Sequence, residues 1–211
     1  MNRRRLPLIV EQSLASVRHT RSQLAESFER ELRMAANEAK TSITCREGCS
    51  NCCYHPVHIT ALEGALLYRY LADNGRWTPS VQERIRAHAE RTRDLPYEVW
   101  FLSVIPCPLL DEKTKKCTAY KGRPFFCRAT FALGDPDLCH PHKIEETEMV
   151  PRDRMVAAFH NEQAKVMRKH QLTTIIMPLS VAVLMGEKIV NGTIDLEQAD
   201  VEVLREYAEV R

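Results

Sequence analysis

Eight cysteines carry the chemistry this sequence offers: Cys45, Cys49, Cys52, Cys53, Cys107, Cys117, Cys127 and Cys139. None falls in the first 44 or the last 72 residues. Cysteines scattered through a core would not cluster in this way, so they belong to one local construction. The first group reads Cys45-Arg-Glu-Gly-Cys49-Ser-Asn-Cys52-Cys53, with Gly48 free to take a tight turn. Thiolates two or three residues apart can be aimed by such a turn at one point, which is how zinc and iron–sulfur ligand sets are built. Neighbouring side chains on an extended backbone point apart. The Cys52-Cys53 pair therefore predicts two ions, an iron–sulfur cluster, or one ligand beside a spare thiol.

The second group has gaps of nine residues, from Cys107 to Cys117 and from Cys117 to Cys127. That is too long for a single knuckle and suits a loop returning to the first group. Four sulfurs complete a tetrahedral zinc site or a cluster. Eight cysteines could make two such sites, and one site with spare thiols fits equally well. Thiolates suit both metals, so zinc and iron stay open. Cys139 opens Cys139-His-Pro-His142, which makes Cys139, His140 and His142 candidate further ligands. His55 and His58 follow the double cysteine and are read as supporting or surface residues; His160 and His170 are read as packing or surface residues on a helix. Arg123 and Arg128 flank Cys127. Their guanidinium groups could donate to thiolates or backbone carbonyls and offset the negative charge of a thiolate site.

Compartment decides how clustered cysteines are read. The opening Met1-Asn-Arg-Arg-Arg is followed by an apolar run that stops at Glu11, too short for a secretory signal. Residues 172–185 are the most apolar stretch, but they are shorter than the roughly 20 residues that span a bilayer, and they contain Pro178. They read as a buried helix. The expectation is a cytoplasmic chain with no membrane span, in which disulfides are disfavoured and clustered cysteines bind metal or do redox chemistry.

The two cysteine segments together resemble the CxxCxxCC family, also called the YkgJ type and described as zinc- or iron-chelating domains. The resemblance rests on Cys45, Cys49, Cys52 and Cys53, then Cys107-Pro108-Leu109-Leu110, Cys117-Thr-Ala-Tyr120 and Arg123-Pro124-Phe-Phe-Cys127-Arg128. It covers roughly residues 41–130, with Thr60-Ala-Leu-Glu63 matching the segment after the double cysteine. The first gap departs from the pattern, being three residues rather than two, and Cys139 lies outside it. The resemblance implies metal binding by Cys45, Cys49, Cys52, Cys53, Cys107, Cys117 and Cys127, and no settled reaction. A related pattern in flagellin lysine methylases raises a methylation reading.

The elements that must position these groups are mainly helical. Seven glycines and 7% aromatic residues, with 44% apolar and 27% charged residues, argue against a strand-rich sandwich and against gross disorder. Residues 8–40 read as one amphipathic helix with Val10, Leu14, Val17, Leu24, Phe28, Leu32 and Ala35 on one stripe. Arg18, Arg21, Glu26, Glu29, Arg30 and Arg33 fall on the opposite face, read as solvated, with a coiled-coil protein partner as the minority reading. Thr60 and Glu63 form a capping-box pattern that starts a helix ending near Asn74-Gly75. Thr78-Pro79 starts another, with Val81, Ile85, His88 and Ala89 inward. Residues 99–105, between Pro96 and Pro106, carry no assignment.

Residues 107–142 contain Pro108, Pro124, Pro136 and Pro141 and are predicted mostly irregular, ordered by metal ligation. Beyond Pro151, Met155, Val156, Phe159, Gln163, Val166, Met167 and His170 share one helical side. Residues 178–190 form a further helix closed by Asn191-Gly192. Asp195 caps a last one, with Leu196, Val203, Leu204 and Tyr207 inward.

The predicted fold is mainly α, with helices around a cysteine-rich, largely irregular metal-binding core. Its parts are residues 1–40, 41–142 and 143–211. The first functional expectation is a metal-binding module whose ion is structural or serves a larger assembly. Against it stand a zinc or iron–sulfur enzyme or redox protein, and a metal sequestration or delivery protein. The absence of a Gly-rich nucleotide motif lowers the enzyme reading. The net charge of +2 points to no nucleic-acid partner. Lys113, Lys115, Lys116 and Lys121 interleave with Tyr120, Phe125 and Phe126, but Asp111 and Glu112 dilute the basic stretch, and the phenylalanines could equally be core.

Overall fold

A computed structural model describes residues 8–38, 40, 42–43, 45–132, 135–146, 153–169 and 175–194. Helix α1 (Leu8–Glu38) is a single long rod. Val10, Leu14, Val17, Phe28 and Leu32 are buried along it, and Leu24 is half-buried against the same cluster. This is the predicted stripe, and it packs within the chain against α2 (Ala61–Asp73), α5 (Phe125–Arg128) and α6 (Asp153–Lys169). One expectation on the opposite face fails. Arg21 is buried, because its guanidinium reaches inward to the Gly122 carbonyl, 3.4 Å away, rather than out to water.

Helix α2 starts where the capping pattern places it. The Thr60 hydroxyl accepts the Glu63 N–H at 3.2 Å, and the helix ends at Asp73 before Gly75, which takes the left-handed conformation. Helix α3 (Pro79–Thr92) follows the Thr78 cap and buries Val81, Ile85, His88 and Ala89. Residues 97–102, left unassigned by the sequence, form the short helix α4 (Tyr97–Leu102), whose Trp100 is enclosed.

Helix α7 (Leu179–Val190) runs against α2 along most of its length. Two glycines make that possible. A methyl on Gly64 would overlap the Ala182 carbonyl, and one on Gly186 would overlap the Gly64–Ala65 backbone. The two helices therefore meet backbone to backbone. Tyr68 donates to Asn191 (3.2 Å) and Trp77 to Glu187 (3.0 Å), fixing the far end of the pair. The apolar stretch before α7 is not all helix, as the sequence had suggested. Residues Ile176–Pro178 form strand β4, antiparallel to β1 (His58–Thr60), with Ile59 opposite Met177. The pairing partner lies more than a hundred residues away, and no local periodicity announces it.

One buried apolar cluster draws on α1, α2, α3, α7 and Phe125, with Phe159 of α6 stacked on Phe125 at 4.4 Å. Cys107, Cys117 and Cys127 pack against its edge. Residues 107–142 are less irregular than predicted: strands β2 (Leu110–Asp111) and β3 (Lys116–Cys117) form a hairpin, and α5 and short 3-10 turns follow. The helix expected from Asp195, and His170, lie outside the described residues. No described helix is long and apolar enough to cross a membrane.

Candidate metal centre

The first cysteine segment ends in a 3-10 turn, residues 51–54, stabilised by the Cys53 N–H to the Ser50 carbonyl (2.9 Å). This backbone is a 3-10 turn rather than an extended strand. The thiols of Cys52 and Cys53 are in hydrogen-bonding contact.

The second segment docks on the first through its backbone. The Cys107 N–H donates to the Cys53 carbonyl at 2.7 Å, and the Cys107 carbonyl accepts the Leu110 N–H at 2.9 Å. Leu110 pairs with Cys117 across the hairpin, so Cys53, Cys107 and Cys117 become neighbours. Cys127 is carried by α5, and the thiols acting on it most strongly are Cys107, Cys52 and Cys117.

A third piece closes the other side. Asn51 donates to the Pro136 carbonyl (2.6 Å) and to the Asp137 carboxylate (3.2 Å), and the His55 ring bonds the Cys139 carbonyl at 2.7 Å. Cys139 is thereby buried within electrostatic reach of Cys45, Cys49 and Cys52. The Ala132 N–H donates to the Cys45 sulfur at 3.3 Å. All eight cysteines are free thiols. Among the described residues, no group of three or more His, Cys, Asp or Glu side chains is placed so as to hold a metal ion. The sulfurs share a neighbourhood, and their donor chemistry fits a thiophilic ion.

The remaining candidates sort by position. His140 lies against Tyr54 (5.2 Å between rings) and His142 (5.4 Å), and its charged neighbours are His142 and Lys143. His142 is exposed. His58 packs on Trp100 at 5.2 Å, where burial holds its ring below the ordinary histidine range. Half-buried His160 is likewise lowered by burial. Arg128 donates to the Lys121 carbonyl (2.7 Å) and the Arg123 carbonyl (3.3 Å), bracing the loop before Cys127. Arg123 rests on the Tyr120 ring, 4.2 Å from its centre, and its charge favours the thiolates of Cys45, Cys117 and Cys127. Phe125 is enclosed in the core, so its ring is not offered to a nucleic-acid base.

Sequence reasoning missed three groups. Arg76 donates to the Thr118 carbonyl and favours the Cys117 thiolate. Arg84 donates to the Leu110 carbonyl (2.9 Å) and favours the Cys107 thiolate. The third is the buried carboxyl of Glu63, which accepts the Phe125 N–H at 2.9 Å and so anchors the helix bearing Cys127. Gln163 and the Thr60 N–H face the same carboxyl, the Gln163 amide without closing a bond, and Arg21 attracts it from further off. Burial outweighs these contacts and pushes Glu63 up to about 7. Only the capping pattern signalled Glu63, and it gave no hint of this second use.

Burial also governs the thiols. It pushes Cys107 and Cys139 up to about 12, and it raises Cys45, Cys117 and Cys127. Cys53 is raised first by its contact with the Cys52 thiol and then by burial. Nucleophilic cysteines are made by the opposite shift. Thiols of this kind give up their protons to a bound cation, so loading releases protons and depends on pH.

A cleft of about 380 Å³ opens beside the cysteines, lined in part by Cys45, Cys49, Cys52, Cys127, Tyr120 and Arg123. In comparison with known proteins, the family model CxxCxxCC, described as "Putative zinc- or iron-chelating domain", matches residues 44–156, a little over half of the chain. No curated protein and no solved structure matches the chain.

Proposed function

Because the chain belongs to the CxxCxxCC family, we propose that its motif cysteines, Cys45, Cys49, Cys52, Cys53, Cys107, Cys117 and Cys127, hold zinc or iron, and that the metal's main work is to order the fold. One observation carries this reading. The 3-10 turn that holds Cys52 and Cys53 leaves all of its residues only half-buried, and the buried apolar core takes nothing from residues 45–54. A segment without apolar burial must draw its order from elsewhere, and thiolate–metal bonds supply it. Arg123 and Arg128 then act beside the ligands, one through charge and one through the backbone. The described parts of residues 1–40, 41–142 and 143–211 make up one unit around the centre.

The open cleft favours a second reading, in which the exposed edge of the centre does redox or transfer chemistry, with protein lysine methylation as the family analogy. Chelation separates the two. Stripping the metal anaerobically with a strong chelator should lower the helical circular dichroism signal and broaden or abolish the thermal transition. An apo chain that keeps its full helicity and a sharp transition contradicts the structural role. That result would favour catalysis or delivery, both of which need a fold that survives without the ion.

A further inference from the structure

We propose that Glu63 is a positioning residue of the cysteine cluster: through the Phe125 N–H, its carboxyl sets the direction in which α5 delivers Cys127 to the cleft. The inference rests on the metal-centre reading above. It adds a residue of the α2 core that ligates nothing and acts through another.

Helix α5 cannot aim Cys127 by itself. It has four residues, a single turn, and its N-cap residue Pro124 offers no side-chain cap. A helix so short has no stability of its own. Its direction comes from two contacts with the core. The Glu63 carboxyl accepts the Phe125 N–H at 2.9 Å, from a position 62 residues earlier in the chain. The Phe125 ring stacks on Phe159 at 4.4 Å. Cys127 follows in the same turn, so these two contacts fix the backbone that carries it.

The strap leading into α5 is gripped from the same side. Arg21 of α1 reaches the Gly122 carbonyl at 3.4 Å and the Arg123 carbonyl at 3.5 Å. Gly122 lies so close to the Tyr70 ring that a methyl on it would overlap the ring. Residues 122–127 are thus held from the core by α1 and α2. Both Arg123 and Cys127 line the cleft, together with Cys45, Cys49 and Cys52.

A carboxyl is an expensive choice for this place. Glu63 is 2% exposed, and burial has already raised it to about 7. A methionine of similar length would fill the space without that cost. It would leave the buried Phe125 N–H without an acceptor. The departure from an apolar core therefore falls where α5 is aimed, as expected of a group that orients a ligand-bearing element.

The test uses the full-length chain loaded anaerobically with cobalt(II), whose ligand-field bands report the geometry of the bound sulfurs. Glu63→Met removes the acceptor and keeps the volume. Glu63→Asp keeps the charge and draws the oxygen back by one methylene. Both should shift the cobalt bands and weaken cobalt retention about tenfold in chelator competition. Glu63→Gln keeps the acceptor and its reach, and should restore wild-type bands and retention. A packing change elsewhere, Ile189→Ala at the far end of α7, should lower stability and leave the bands alone. Wild-type bands and retention in whichever of Glu63→Met and Glu63→Asp folds overturn the proposal. A Glu63→Gln protein shifted as far as Glu63→Met, or the same shift in Ile189→Ala, overturns it too. In each of those cases a wild type that binds cobalt leaves the metal-centre reading standing. A wild type that takes up no cobalt overturns both.

Discussion

Replacing Glu63 by glutamine should make the protein more stable at pH 8 and not at pH 5. Glutamine keeps an oxygen to accept the Phe125 N–H, so the anchor of α5 survives, but it cannot ionise. In the wild type, burial lifts the carboxyl from 4.5 to about 7. Between those values the native state holds a proton that the unfolded state has lost, so stability falls as pH rises. The slope is about 1.4 kcal/mol per pH unit, accumulating to about 3 kcal/mol by pH 8. Thiol protonation also moves stability with pH, but it is common to both proteins and cancels in their difference. Urea unfolding of the metal-loaded proteins gives that difference directly. E63Q should equal or fall slightly below wild type at pH 5 and exceed it by about 2–3 kcal/mol at pH 8. Equal destabilisation at both pH values would refute the claim that Glu63 is buried with a raised pKa.

His88 should show the opposite sign. Burial beside Ser180 lowers its ring from 6.5 to about 4, so its stabilisation is present above pH 6.5 and is lost as pH falls toward 4. Compared with H88Q, the wild type should lose about 3 kcal/mol over that interval in urea unfolding. Glu63 and His88 therefore nearly cancel between pH 4.5 and 6.5 in the wild type, and either single variant should uncover the other's slope. Gly186→Ala should cost at least about 3 kcal/mol, because the added methyl meets the backbone of α2 and nothing flexible can yield. Gly75→Ala, which meets no neighbour, should cost only about 1 kcal/mol, from its left-handed backbone. Arg123→Ala should weaken metal retention about tenfold in competition with a chromophoric chelator, with Arg123→Lys recovering part of the loss. Unchanged retention in R123A would remove Arg123 from the site.

Local patterns in the sequence carried much of the fold. Thr60 with Glu63, Thr78 with Pro79, and Asn191 with Gly192 marked helix ends, because capping chemistry acts over three or four residues. The cysteine segments were legible as one construction because thiols that converge in space were also clustered along the chain. What stayed hidden depended on distant partners. Arg21 looked like a solvent-facing charge until the Gly122 carbonyl came within reach across a hundred residues. Ile176–Pro178 looked like the start of a helix until β1 paired with it. Cys52 and Cys53 lie on a 3-10 turn that no local pattern around the double cysteine announced. Cys139 fell outside the motif, and its place is set by Asn51 and His55, neither of which carries a recognisable signature.

The cysteine cluster is read above as a metal centre. Anaerobic purification followed by elemental analysis, a visible absorption spectrum and a count of reactive thiols tests it most directly. Zinc or iron should be found at one or more equivalents per chain, with most of the eight thiols unreactive until the protein is denatured in chelator. Zinc would leave the protein colourless, and an iron–sulfur centre would turn it brown and release acid-labile sulfide. A folded, metal-free chain whose cysteines are all reactive, or are paired in disulfides, would rule out a metal centre.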